Sequence, residues 1–120
     1  MLKTILAVDD STSMRQMVGH VLREAGFRVI EASDGEEALE VAQRERVDAV
    51  ITDHNMPRMD GLSLVRMLRG LDAYARTPIV LLTTESSDEM KRKGREAGAT
   101  GWMVKPFDPI RLIEMCRKIL

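Results

Sequence analysis

Apolar residues recur along the chain in two alternating rhythms. Met14, Met17, Val18, Val21, Leu22 and Ala25 form the repeating stripe of a helix laid on a core, and Gly26 behind them is a stop signal. A short apolar run, Ile5 to Val8, precedes that helix, and a second run, Phe27 to Ala32, follows it. Ser33-Asp34-Gly35 then turns into a helix ending near Arg46, and Val47 to Thr52 is another β-branched strand. The turn-rich stretch D-H-N-M-P-R-M-D-G leads into a helix that carries Leu62, Val65 and Leu68 inward. Pro78 opens P-I-V-L-L-T-T, whose continuous apolar character is that of a central parallel strand. Ser86 with Glu89 forms a capping box for the next helix, which is mostly charged and has Met90 and Ala97 as its clear apolar anchors. Gly101 to Val104 is a fifth strand. A last helix has Asp108 as N-cap, Pro109 at N1, and Leu112, Ile113, Cys116 and Ile119 facing in.

Five strand-helix alternations without repeats or linkers predict an α/β fold, a doubly wound parallel sheet covered by five helices. The 120 residues make one domain, 1–120, with room for a core that needs no disulfide. The lone cysteine, Cys116, is expected as a small buried hydrophobe in a reducing compartment. No apolar run is long enough for a signal peptide or a membrane span, so the expected location is cytoplasmic, without membrane insertion. A net charge of −1 gives no field for direct nucleic-acid binding. The basic cluster Lys91, Arg92, Lys93 and Arg95 lacks interleaved aromatics and reads as a solvated helix face. The nine methionines fall mostly at core-facing or turn positions.

In sheets of this kind ligands sit beyond the carboxyl ends of the strands. The residues there are Asp9 and Asp10 after the first strand, Asp53 after the third, Thr83 and Thr84 after the fourth, and Lys105 after the fifth. One acid in A-V-D-D-S suffices to cap the following helix, and Ser11, Thr12 and Ser13 are available for that task as well, so the second acid is surplus to folding. Carboxylates about 4 Å apart repel by roughly 4 kcal/mol per pair at an effective dielectric of 20. A cation resolves that repulsion, and an all-oxygen site suits Mg²⁺ or Mn²⁺ better than zinc. His54 in an extended segment points away from Asp53 and is expected to be exposed, as is His20. Metal, the Lys105 ammonium and the Thr83 hydroxyl make a cradle for a phosphoryl group, with Asp53 as its nucleophilic acceptor.

Asp9-Asp10, Asp53, Thr83 and Lys105-Pro106, in this order across the whole chain, resemble the receiver domain of two-component response regulators, and among them the stand-alone chemotaxis regulators. The resemblance implies a flavodoxin-like fold of strand order 2-1-3-4-5. It makes Asp53 the phosphoacceptor and gives Asp10, Asp53 and the Asn55 backbone carbonyl to Mg²⁺, with Asp9 reaching it through water. Thr83 and Lys105 then bind phosphoryl oxygens, Pro106 follows Lys105 through a cis peptide, Asn55 and Glu85 tune the lifetime of the acyl phosphate, and Trp102 is the switching aromatic. Such a protein catalyses its own phosphorylation and slow autodephosphorylation without being a conventional enzyme. The implied partners are a histidine kinase, a target such as a flagellar motor switch protein docking on the fourth helix, fifth strand and fifth helix, and a phosphatase; the expected state is a monomer. A phosphorelay or other receiver outside chemotaxis, a receiver from a longer DNA-binding regulator, a Mg²⁺-dependent phosphohydrolase and a flavin-binding domain are the competing readings. The phosphohydrolases resemble D-x-D on the first strand rather than adjacent acids, and aspartates in the first turn would repel a flavin phosphate.

Overall fold

Each strand of the sheet is written so that alternate side chains serve two different cores. The computed structural model describes residues 2–85 and 87–120. Its strands are β1 (Thr4–Val8), β2 (Arg28–Ala32), β3 (Ala49–Asp53), β4 (Ile79–Thr83) and β5 (Gly101–Val104). All neighbours pair in parallel, in the order β2-β1-β3-β4-β5. The helices are α1 (Thr12–Glu24), α2 (Gly35–Arg44), α3 (Gly61–Arg69), α4 (Asp88–Ala97) and α5 (Pro109–Ile119).

Leu6, Val8, Val50, Ile79 and Leu81 point into one core with Ala38 and Val41 of α2, Leu64, Val65 and Leu68 of α3, and Met90 and Ala97 of α4. The intervening residues Ile5, Ala7, Ala49, Ile51, Val80 and Leu82 point into the other, against Val18 and Leu22 of α1 and Leu112 and Cys116 of α5. The three central strands are buried along their whole length, which is why their sequences read as unbroken apolar runs. The expected flavodoxin-like architecture is therefore the one observed.

Local signals fix most helix starts. Ser11, Asp34, Asp60 and Asp108 each accept a hydrogen bond from a backbone N–H of the first turn, and Pro109 opens α5. The expected Ser86 cap lies outside the described residues; at the start of α4 the Ser87 side chain accepts from the Met90 N–H. Gly26 and Gly98 follow α1 and α4 with φ of 98° and 105°, the left-handed geometry glycine adopts without strain.

Three expectations change. Met17 lies on the solvent side of α1 at 45 % exposure, because the buried stripe narrows to Val18, Gly19 and Leu22. On α5, Met115 packs on the core alongside Leu112, Cys116 and Ile119, a place the periodicity assigned to Ile113. A short 3₁₀ turn, Asp72–Tyr74, joins α3 to β4; its buried Tyr74 hydroxyl donates to Ala42 O at 2.6 Å, closing the pole opposite the strand ends. The sequence pattern predicts no helical turn there.

Candidate functional site

The parallel register delivers the chemistry-bearing residues to one edge. β1 ends at Val8, so Asp9 and Asp10 emerge together; Asp53 closes β3, Thr83 closes β4, and Lys105 follows β5. Backbone bonds extend the ladder past the strand ends: His54 N–H donates to Leu82 O at 2.9 Å and Lys105 N–H to Thr83 O at 2.8 Å. Asp53 is level with Leu82 and Met103, and Lys105 lies two residues further along on the other side of β4.

Carboxylate oxygens of Asp9, Asp10 and Asp53 lie within 4.8 Å of one another. Asp9 and Asp53 are buried, while Asp10 is exposed at the mouth. Lys105 Nζ reaches Asp53 Oδ1 at 2.7 Å and Asp9 Oδ2 at 3.4 Å. The other Asp9 oxygen accepts from the Ser11 N–H at 2.9 Å. Burial, seconded by the charge of Asp53, holds the Asp9 carboxyl above its ordinary value despite Ser11 and Lys105. Burial opposes the Lys105 ammonium, but its hydrogen bond to Asp53 and the charges of both acids outweigh that, and its pKa is raised. One ammonium thus faces three carboxylates. The surplus of negative charge and the all-oxygen donor set fit a hard divalent cation.

The loop between β3 and α3 is clamped to the strand end. Gly61 N–H donates to His54 O at 2.9 Å, and a Cβ on Gly61 would stand 2.5 Å from Asp53 O and 2.8 Å from His54 Cα. Only glycine allows α3 to start against the backbone that carries Asp53. Arg58 takes a left-handed φ of 66° and pairs with Asp34, the α2 cap, while Met56 is buried beneath. Asn55 is exposed in this loop, two residues after Asp53. His54 departs from expectation: the ring is half-buried, and its Nδ1 is buried with no hydrogen-bond partner among the described residues. Gly61 folds the loop back over the strand end, which removes the solvent an extended segment would leave at His54.

Thr83 is buried, and its hydroxyl oxygen accepts from the Glu85 N–H at 3.0 Å. Its own hydrogen remains available to an acceptor in the crevice. Leu81, Met90, Gly94 and Trp102 line a narrow cleft behind it. Trp102 is half-buried on β5, with Lys91 Nζ 5.6 Å and the Arg95 guanidinium carbon 5.9 Å from its ring centroid. Beyond it, an open groove of about 630 Å³ runs between α4, β5 and α5, bordered by Trp102, Val104, Phe107, Arg111 and Lys118. The Lys105–Pro106 peptide is cis. His20 is exposed, as expected.

Hydrophobic periodicity does not single out Arg15. Its Nη1 donates to the Asp9 carbonyl at 2.7 Å, and its Nε pairs with Glu31 at 3.3 Å. A polar residue on a helix is read as solvated, and nothing in the sequence says that this one turns back under the first strand.

A doubly wound sheet with buried acids and a lysine converging at its carboxyl edge presents an acidic pocket whose oxygen donors fit a hard cation. The chain belongs to the response regulator receiver domain family, which it matches over residues 5–117. It is thus a receiver domain of the two-component type, and members of this family bind Mg²⁺ at an acidic pocket such as that formed by Asp9, Asp10 and Asp53. The structure of the chemotaxis protein CheY4 of Vibrio cholerae superposes with a TM-score of 0.97 at 49% identity, covering all of both chains. Chemotaxis protein CheY-3 of Vibrio cholerae is 38% identical over 96% of this chain and 89% of its own length. The gliding motility regulatory protein of Myxococcus xanthus is 43% identical over 84% of this chain, which spans 13% of that protein.

Proposed function

We propose that the chain is a phosphorylation-operated switch of chemotaxis type, which takes a phosphoryl group from a histidine kinase onto Asp53 and thereby changes its affinity for a protein target. The observation that carries this reading is the Asp53–Lys105 pair at 2.7 Å inside the acidic cluster. Asp9 is committed to Ser11 and Lys105, and Asp10 lies at the exposed mouth, whereas Asp53 is buried with one oxygen on Lys105. An Asp53 oxygen attacks phosphorus, the bond from phosphorus to the donor imidazole nitrogen breaks, and its electron pair leaves with the imidazole. The product is an acyl phosphate.

Asp10, Asp53 and the Asn55 carbonyl would hold Mg²⁺ or Mn²⁺, with Asp9 acting through water. Bound there, the cation supplies charge neutralisation for the phosphoryl oxygens. Lys105 exchanges part of its bond to Asp53 for a phosphoryl oxygen, and Thr83 donates its free hydrogen to another. Hydrogen bonds to charged groups are worth about 1.5–3 kcal/mol each, whereas moving a two-state equilibrium from 1:99 to 99:1 takes about 5.5 kcal/mol. Two such bonds nearly supply it.

Drawing Thr83 into the crevice opens the cleft that Trp102 borders, so Trp102 and α4 are the moving parts. Asn55 and Glu85 are exposed and stand two residues beyond Asp53 and Thr83, and they govern the approach of the water that hydrolyses the acyl phosphate. The target docks on the groove between α4, β5 and α5, and a flagellar motor switch protein is the reading that follows from the chemotaxis relatives. The basic face of α4 is partly spoken for: Arg92 pairs with Glu96 at 2.7 Å and Lys93 with Glu89 at 3.5 Å. Of the two cations beside Trp102, Lys91 borders the groove and Arg95 does not, so Lys91 is the one whose reversal should weaken target binding most.

Incubation with Mg²⁺ and acetyl phosphate, followed by mass spectrometry, tests the reading. The expected result is one labile phosphoryl adduct that disappears with EDTA and in Asp53→Asn. An adduct that survives in Asp53→Asn would move the acceptor elsewhere. Turnover of small phosphate esters without an adduct would favour the phosphohydrolase.

A further inference from the structure

Asp9 is the first residue past the β1 pairing, which ends with Val8 opposite Ala32 and Thr52. Its N–H still reaches Ala32 O at 3.1 Å, but its carbonyl has left the ladder. A half-buried carbonyl needs a donor. Arg15 supplies it from the first turns of α1, with Nη1 at 2.7 Å. Only 16% of the Arg15 side chain is exposed, and its Nε is held at 3.3 Å by Glu31 on β2. Glu31 in turn is held by Arg23 at 3.1 Å. The guanidinium is thereby held between β1 and β2, beside Val18, Ile51 and Leu82.

We propose that Arg15 is a positioning residue: by fixing the Asp9 carbonyl it fixes the peptide that joins Asp9 to Asp10, and so aims the Asp10 carboxylate into the acidic cluster. This rests on the reading of that cluster as the divalent-cation site. Asp10 is exposed and accepts no hydrogen bond among the described residues, so its direction depends on its backbone. Two effects of Arg15 oppose each other. A positive charge near the cluster repels a bound cation, whereas the bond to Asp9 assembles the ligands. Glu31, which Arg15 shares with Arg23, offsets part of that charge, while the hydrogen bond acts directly on the peptide that carries Asp10, so positioning dominates. Lysine offers a point charge in place of the planar fork, and serves both Asp9 and Glu31 less well.

Calorimetric titration of Mg²⁺ into the purified protein separates these effects. Residues that orient metal ligands typically change affinity 10- to 100-fold, so Arg15→Met should weaken Mg²⁺ binding about tenfold. Arg15→Lys should recover part of that loss. Glu31→Gln, which keeps the bond to Asp9 and unmasks the charge, should change the affinity by less than about threefold. If Arg15 acts through Asp10, then Arg15→Met should add little to Asp10→Asn in a double-mutant cycle. Arg15→Met that matches the wild type in circular dichroism and binds Mg²⁺ as tightly or more tightly would overturn the proposal. Full additivity in the cycle would do the same. Should Arg15→Met not fold, Arg15→Lys decides: an unchanged affinity overturns the proposal, a measurable loss supports it. Wild-type protein that binds no Mg²⁺ overturns the cation reading and this inference together. Wild-type binding that Asp53→Asn abolishes and the Arg15 variants leave intact overturns this inference alone.

Discussion

Lys105 Nζ lies 2.7 Å from Asp53 Oδ1, and both side chains are withdrawn from solvent. The sheet thus carries an internal cation that partly neutralises acids brought together for another purpose. Lys105→Met leaves Asp9 and Asp53 buried without compensation, and breaking a buried pair this way costs about 3–5 kcal/mol. The thermal midpoint of the variant in EDTA should fall accordingly. Mg²⁺ should then restore more stability to the variant than to the wild type, since the competing ammonium is gone. Equal midpoints in EDTA would mean that the pair carries no stability.

Gly61 is the second fixed point of the site. A methyl group there meets Asp53 O at 2.5 Å and His54 Cα at 2.8 Å, both main-chain atoms that yield only if the strand end moves. Gly61→Ala is expected to lose about 1–3 kcal/mol by overpacking and to slow acyl-phosphate formation by displacing Asp53. A variant with unchanged urea midpoint and unchanged labelling rate would show that α3 can retreat freely.

Cys116 has no exposed surface, and burial pushes its thiol pKa from 9.0 up to about 11. Between those values the unfolded chain has released the proton and the native chain keeps it, so the unfolded state binds fewer protons and stability falls as pH rises. The contribution is intact below pH 9 and lost through pH 11, a decline of at most about 3 kcal/mol. Cys116→Ala should flatten that alkaline limb while costing about 1 kcal/mol at neutral pH. Denaturant melts of both proteins at several alkaline pH values check it, and parallel curves would rule the thiol out as the cause.

The fold was legible because its signals are local and repeated. Unbroken apolar runs at Ile79–Leu82 and Ile5–Val8 announce buried parallel strands, and Asp108-Pro109 announces a helix start. Asp9, Asp10, Asp53, Thr83 and Lys105 were legible as site candidates because strand order places every carboxyl end on one edge. What the sequence withholds is the direction of a side chain across elements. Arg15 and Met17 are near neighbours in α1, yet the polar one turns under the first strand and the apolar one faces solvent. The half-burial of His54 is hidden from the sequence for the same reason. Alternation along an extended chain gives its side, while the fold of the loop back through Gly61, which decides its burial, depends on contacts with α3.

Trp102 stands between two cations of α4, Lys91 at 5.6 Å and Arg95 at 5.9 Å from its ring centroid. Each such contact is worth about 0.5–1 kcal/mol near the surface, and together they hold the ring against the helix proposed to move. A total of one to two kcal/mol changes a two-state ratio by a factor of about 5–30, so the clamp is strong enough to bias the position of the indole. Neutralising both cations in Lys91→Gln/Arg95→Gln should free the ring: the acrylamide quenching constant rises and the fluorescence anisotropy falls. Each single variant should give about half the effect, as the similar distances require. Trp102 is the only tryptophan in the chain, so the signal has one source. Quenching and anisotropy identical to wild type in the double variant would mean that packing in the cleft with Met90 and Leu81, and not the two charges, sets where the indole rests.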